Sequence, residues 1–316
     1  MAKKSKTAVA AVPKRSFWTL VKRQKGLLLM ALIPVVFIFI FDYMPMYGIL
    51  IAFKNYKASK GVWGSAWLDP FYKNFATFFK NVNCGRIILN TLRIGTSTVC
   101  CTFPAPIIFA LLLNEMKGRK YKRVVQTVSY IPHFISMVVI CSMLNGFCSM
   151  NGLFNDLRVG LGMARTNLNA GEMNFLIMYV MSAVWQSVGW GSILYLSALT
   201  NVDTSLYDVA NIDGANRWQK MKHIAIPAIL PTITIVLIMN VGGVLNSDYQ
   251  KILLMQNSTN RNISETIATF VYTVGIQEGR FSYSTAVNLF QSIVSFVLVY
   301  GANAVTRKLS PDNSMF

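Results

Sequence analysis

Charge is scarce in this chain of 316 residues, at 13% Asp, Glu, Lys and Arg together, and acid is scarcer still, with 12 Asp and Glu against 30 Lys and Arg. Histidine is nearly absent: His133 and His223 are the whole supply, which excludes a histidine metal cluster. The five cysteines, at 84, 100, 101, 141 and 148, lie mostly within apolar stretches and lack metal-ligand spacing, so they read as small hydrophobes. No G-x-x-x-x-G-K-S/T phosphate loop occurs, so the usual cradle for ATP is missing. Acids, histidines and cysteines do not gather as a membrane enzyme would need. The net charge of +18 invites a nucleic-acid reading, but no basic patch interleaved with aromatics supports one.

What is present is apolar. Hydrophobic residues make up 53% of the chain and the mean hydropathy is +0.44, outside the range of an ordinary soluble domain. Runs long enough to cross a bilayer lie near 26–50, 88–114, 124–148, 173–200, 225–247 and 284–306, predicting an all-α membrane protein with six transmembrane helices. The first run follows Lys22, Arg23 and Lys25 like a signal peptide. It ends in Phe41, Asp42, Tyr43, Met44 and Pro45 without a small-residue cleavage site, so it is read as an uncleaved anchor.

Basic residues crowd the first 25 positions, the stretch Lys117 to Arg123 between the second and third runs, and Arg217, Lys220 and Lys222 between the fourth and fifth. The positive-inside rule then places both termini and the segment 205–227 in the cytoplasm. The chain divides into a basic tail (1–25) that touches membrane lipid, a transmembrane domain (26–306) and a short tail (307–316). On the outer side, 53–86, 149–172 and 251–283 are long enough to form a docking surface.

The segment SLYDVANIDGANRWQKMKHIAIP, Ser205 to Pro227, is polar and lies between two apolar runs. Ser205 with Asp208 fits a capping box, with an apolar face at Leu206, Val209 and Ala210. Gly214 suits a left-handed turn, Asn216 with Gln219 can start a second helix, and Trp218, Met221 and Ile224 form its apolar stripe. Such an elbow either lies on lipid headgroups or docks in a partner's groove.

Asp208, Val209, Ala210, then Asp213, Gly214, Ala215, then Met221, Ile224, Ile226 and Pro227 resemble the EAA loop of type I ABC importer permeases, EAAxxDGAxxxxxFxxIxLP. The DGA core, the Ile and the Pro are kept; Asp208, Val209, Met221 and Ile226 depart from the pattern. YMPMYGILIAFKNY (43–56), FPAPIIFALLLNE (103–115), VQTVSYIPHFIS (125–136) and GGVLN (242–246) are similar to the polysaccharide branch of the maltose-transporter class. The resemblance implies a subunit of the bacterial cytoplasmic membrane without catalytic residues or cofactor, importing an oligo- or polysaccharide. Its implied partners are a second permease, expected to be a different chain, an ABC ATPase dimer holding ATP and Mg, and an extracellular sugar-binding protein. It also implies that Asp208 pairs with a basic group on the ATPase, Gly214 makes the turn, and Trp218 and Met221 fill the groove.

Polar residues inside apolar runs are costly unless they face a cavity or another helix. Trp185, Gln186, Asn240, Asn246, Asn288, Gln291 and Ser292 are therefore candidates to line a sugar cavity, with interhelical hydrogen bonding as the competing role. Gly189, Gly191, Gly242 and Gly243 are expected at close helix approaches, Pro104 and Pro106 at a kink, and His133 in packing. An amino-acid or peptide permease of the same class is the alternative. An ion-coupled secondary transporter would call for broken helices carrying intramembrane acids and for an internal repeat, and neither is visible.

Overall fold

The structure, a computed structural model, describes residues 24–309; most of the basic tail (1–25) and the last residues of the C-terminal tail (307–316) lie outside the described residues. Among the described residues the regular structure is helical, and the lone β feature is an isolated antiparallel bridge between Lys54 and Trp67.

The chain separates into two units at Leu50 and Ile51. Helix α1 (Lys25–Phe53) makes up the described part of the first and runs just into the second. It widens from α to π geometry at Phe39–Tyr43 and tightens to 3-10 geometry at Met44–Phe53, and its side chains from Leu27 to Met46 are exposed and almost wholly apolar. That exposure suits a helix facing lipid.

In the second unit, α2 (Lys73–Lys80) leads into α3 (Cys84–Glu115), which is long and apolar enough to cross a membrane. At Phe103 the ladder is interrupted by Pro104, which lacks a donor and restarts the helix as its first residue. The third expected run is not one straight helix. It forms α4 (Arg119–Phe134) and α5 (Met137–Phe147), bent by 96° to one another. Pro132 ends α4 in a 3-10 turn, Ile135 is extended, and the Ser136 hydroxyl accepts from the Val139 N–H at 3.4 Å to start α5. A broken helix is thus present where none was expected, although it carries no acid.

After α6 (Leu153–Gly160) comes α7 (Glu172–Thr200), 29 residues long but diluted by Gln186, tryptophans, serines and glycines. Among the described residues, four helices meet both the length and apolarity expected of a span (α1, α3, α9 and α13), or five if α4 and α5 count as one; α7 has the length without matching their apolarity. It compensates by packing inside the bundle, with Phe175, Tyr179, Ser192 and Tyr195 buried. Gly189 lies against the Ser129 carbonyl of α4, an approach that any larger residue would block, and Gly191 lies closely against the Pro106 ring of α3.

The short α8 (Thr204–Ile212) precedes α9 (Arg217–Gly243). The latter accommodates Pro227 by widening to a π turn over Met221–Ala225, so Pro227 sits within one continuous helix, in the first turn after the π segment. Gly242 abuts Val299 of α13 (Phe281–Lys308), whereas Gly243 faces open space, contrary to expectation.

The stretch 251–283 is largely helical rather than an extended loop. It folds back as α10 (Tyr249–Met255), α11 (Arg261–Ser264) and α12 (Ile267–Gln277), burying Ile252, Met255, Ile263 and Ile267. Polar ties hold it in place. Arg86 of α3 pairs with Glu265 at 2.7 Å, Asn90 donates to the Asn262 and Glu265 carbonyls, and the Ile267 N–H donates to the Thr91 hydroxyl at 2.9 Å.

Candidate functional site

Two separate features follow from this arrangement. The first is an open cavity of about 670 Å³ lined by α3, the α4–α5 break, α7, α9 and the start of α10. Gln186, Asn240 and Asn246 line it, as expected from their polarity within apolar runs. Asn240 satisfies one donor within its own helix, on the Val236 carbonyl at 2.8 Å, and Gln186 reaches the Ile135 carbonyl only at 3.4 Å. Both amides keep capacity for a ligand.

The other four candidates lie elsewhere. Trp185, one residue from Gln186 and so about 100° around the helix, faces a separate apolar pocket with Leu144, Phe154 and Met181. Asn288 and Gln291 face a third pocket with Asn246 at its edge. Gln291 serves the competing role: its amide donates to the Leu245 carbonyl at 2.7 Å and to Asn246 Oδ1 at 3.0 Å, tying α13 to the turn after α9. Ser292 donates to the Asn288 carbonyl within its own helix.

Four cavity residues were not anticipated. Trp190 stacks on His133 with ring centroids 4.5 Å apart and planes within 1°, giving the cavity an aromatic wall. His133 is packed, as expected, but packed at the cavity. Tyr179, Asp248 and Lys251 complete this end. Lys251 is 2% exposed, and its ammonium donates to the Tyr179 carbonyl at 3.0 Å. Burial pushes the Lys251 ammonium down to about 8, with the Cys141 thiol and the Asp248 carboxylate acting in the other direction. The period of α7 from Tyr179 through Gln186 to Trp190 could have revealed Trp190; nothing local marks Lys251, which reads as an exposed loop residue until α10 folds inward.

The second feature is the elbow. Helix α8 begins two residues earlier than the Ser205–Asp208 box implies. The Asp203 carboxylate caps it by accepting from the Ser205 N–H at 2.9 Å, and this bond holds the Asp203 carboxyl below its ordinary value. Gly214 turns the chain at φ +73°, and the Ala215 N–H closes on the Ala210 carbonyl at 2.8 Å. Asn216 and Gln219 form the expected reciprocal capping box at 2.9 and 2.7 Å. Lys220 donates to the Asn211 side chain at 2.7 Å, bracing the two arms.

Asp208, Val209 and Asp213 are exposed, and Ala210 and Ala215 are half-buried. The apolar ridge matches the expected one at Leu206, Val209 and Trp218 and departs from it at two positions. Met221 and Ile224 turn toward the body, Met221 packing against the cluster of Leu113, Leu199 and Ile229. What projects is Leu206, Val209, Ile212 at 86% exposure and Trp218 at 75%. Four large apolar side chains on a small polar protrusion are unfavourable in water and suit a partner's cleft.

A bundle of long apolar helices around a polar and aromatic cavity, with an exposed elbow at the end of one helix, defines a membrane permease. Residues 103–311 match the family described as the binding-protein-dependent transport system inner membrane component, and the chain belongs to it. Protein LplB of Bacillus subtilis (strain 168) is 40% identical over 298 residues, covering 94% of this chain and 93% of that protein. The polygalacturonan/rhamnogalacturonan transport system permease protein YteP of the same organism is 38% identical over 291 residues, covering 92% and 90%. A chain of the bacterial alginate ABC transporter, solved in complex with an alginate pentasaccharide-bound periplasmic protein, superposes with a TM-score of 0.84 at 32% identity, covering 94% of this chain and 99% of that one. This is a multi-pass permease subunit with the type I ABC importer fold.

Proposed function

We propose that this chain imports an oligo- or polysaccharide through the central cavity, paired with a second permease, fed by an extracellular sugar-binding protein and driven by an ATPase dimer that holds ATP and Mg. The observation that carries it is the cavity, where the amides of Gln186, Asn240 and Asn246 and the stacked Trp190 supply hydroxyl partners and an aromatic face. The relatives support the substrate class. YteP is named for polygalacturonan and rhamnogalacturonan, and the solved neighbour accompanies a protein loaded with alginate pentasaccharide. An amino-acid cargo has no comparable support.

In this reading both termini and the elbow are cytoplasmic. The elbow seats Leu206, Val209, Ile212 and Trp218 in a cleft of the ATPase, with Asp208 placed to meet a basic group there. ATP-driven closure of the ATPase dimer then moves the elbows and turns the cavity from one side of the membrane to the other. The chain itself carries no hydrolytic chemistry in this scheme; its work is to bind, orient and gate.

The test is saccharide-dependent uptake by the reconstituted transporter. Asn240→Ala and Trp190→Ala are each expected to raise the half-saturating saccharide concentration by about five- to tenfold, the loss of one hydrogen bond or one stacking contact. Trp185→Ala, outside the cavity, should leave it within about twofold. Uptake unaffected by both cavity variants would sink the assignment.

A further inference from the structure

The buried lysine at one end of the cavity calls for a role that neutral saccharides do not give it. Lys251 is the one cation, and Asp248 the one carboxylate, among the described residues that line this space. Asp248 caps its own helix, accepting from the Lys251 N–H at 3.1 Å. The Lys251 ammonium lies 4.6 Å from the Tyr179 ring centroid, and the Tyr179 carbonyl takes one of its three N–H bonds. Removing an ammonium from water is costly, and hydroxyl groups can be held by amides such as those of Gln186 and Asn240 at far lower cost. A full positive charge in a partly apolar cavity gains most from a ligand that brings a negative one.

We propose that Lys251 makes the central cavity selective for saccharides that carry a carboxylate, such as uronic-acid oligomers. This rests on the saccharide-import reading and narrows it. The ligand carboxylate accepts from the free N–H bonds of Lys251, while the sugar ring lies toward Trp190 and the amides. Asp248 opposes the ligand's charge, and its commitment to capping limits that opposition. The other titratable groups around Lys251 are Tyr179 of α7, Cys141 of α5 and, at the α4 end of the cavity, His133. With the ammonium lying at about 8, it is mostly charged at neutral pH and loses its charge in mild alkali.

The experiment titrates the whole detergent-solubilised transporter with trigalacturonate and with its fully methyl-esterified form, equal in length and differing in charge, by calorimetry. Wild type should bind the acid at least about tenfold more tightly than the ester, the scale of one charge-assisted bond. Lys251→Met should erase that preference, leaving the ester within about twofold of its wild-type affinity. Asp248→Asn, which retains a capping side chain, should strengthen the acid alone by about threefold. Acid binding should also fall about tenfold between about pH 7 and pH 9, with ester binding flat. Equal affinity of wild type for the two forms, or equal losses for both in Lys251→Met, overturns the proposal while leaving saccharide import intact. Failure of wild type to bind the acid overturns this proposal, while saccharide import stands or falls by the uptake of the Asn240→Ala and Trp190→Ala variants.

Discussion

Gly214→Pro is expected to abolish saccharide-stimulated ATP hydrolysis by the assembled transporter while the chain still reaches the membrane. Gly214 sits at φ +73°, a region proline cannot enter because its ring fixes φ near about −65°. The substitution also removes the N–H that donates to the Asn211 carbonyl at 3.2 Å. The turn must therefore re-form, and the two arms of the elbow, α8 and the first turns of α9, swing apart. Their brace from Lys220 to Asn211 would be lost and the ridge of Val209, Ile212 and Trp218 scattered. No added Cβ meets another atom at Gly214, so the damage stays local and the bundle keeps its packing. Stimulated hydrolysis should fall by about a hundredfold, to the unstimulated rate, since a cleft that needs a preformed ridge gains little from a disordered one. Gly214→Asn, which tolerates the left-handed region, should retain most of the stimulation. Full stimulation in the proline variant would mean that the elbow does not couple the two subunits.

The elbow was legible because its signals are local. A glycine at a left-handed turn, a capping pair three residues apart and a polar break between apolar runs are each set by neighbouring residues in sequence. The ridge was misassigned at two positions, for a tertiary reason. Met221 and Ile224 have the period of an exposed stripe, but a π turn spans Met221–Ala225, where Met221 packs against the cluster of Leu113 and Ile229 and Ile224 is half-buried. The cavity was half legible on the same grounds. Polarity within an apolar run finds Gln186, Asn240 and Asn246 but cannot distinguish them from Gln291, whose partners on the Leu245 carbonyl and Asn246 are set by how α13 crosses α9. Lys251 and the folding of α10, α11 and α12 into the body were not legible. They depend on Arg86 of α3 meeting the Asn262 and Glu265 side chains, and on Asn90 and Thr91 meeting backbone groups, all more than 170 residues away.

Gly95→Val should be the most damaging single substitution among the glycines, lowering stability by on the order of 3 kcal/mol or more. A Cβ built at Gly95 lands on the Val244 carbonyl oxygen and 2.8 Å from its carbon, so backbone meets backbone and no rotamer change relieves it. Helix α3 would have to leave the end of α9. Moving Val244 also moves Leu245 and Asn246, the acceptors of the Gln291 amide, so the α9–α13 tie and one wall of the cavity fail together. In a bilayer, helices associate by close packing more than by the hydrophobic effect, which makes such a contact hard to replace. Gly243→Ala is the matched control. It lies at the end of the same α9, meets nothing within 4 Å, and should shift stability by no more than about 1 kcal/mol, in the favourable direction if at all. Thermal unfolding of the two purified variants in detergent, followed by size-exclusion retention, separates them. Equal midpoints would show that the Gly95 approach is not a fixed contact of the fold, and a loss confined to transport with the midpoint unchanged would place it in the moving part of the transport cycle.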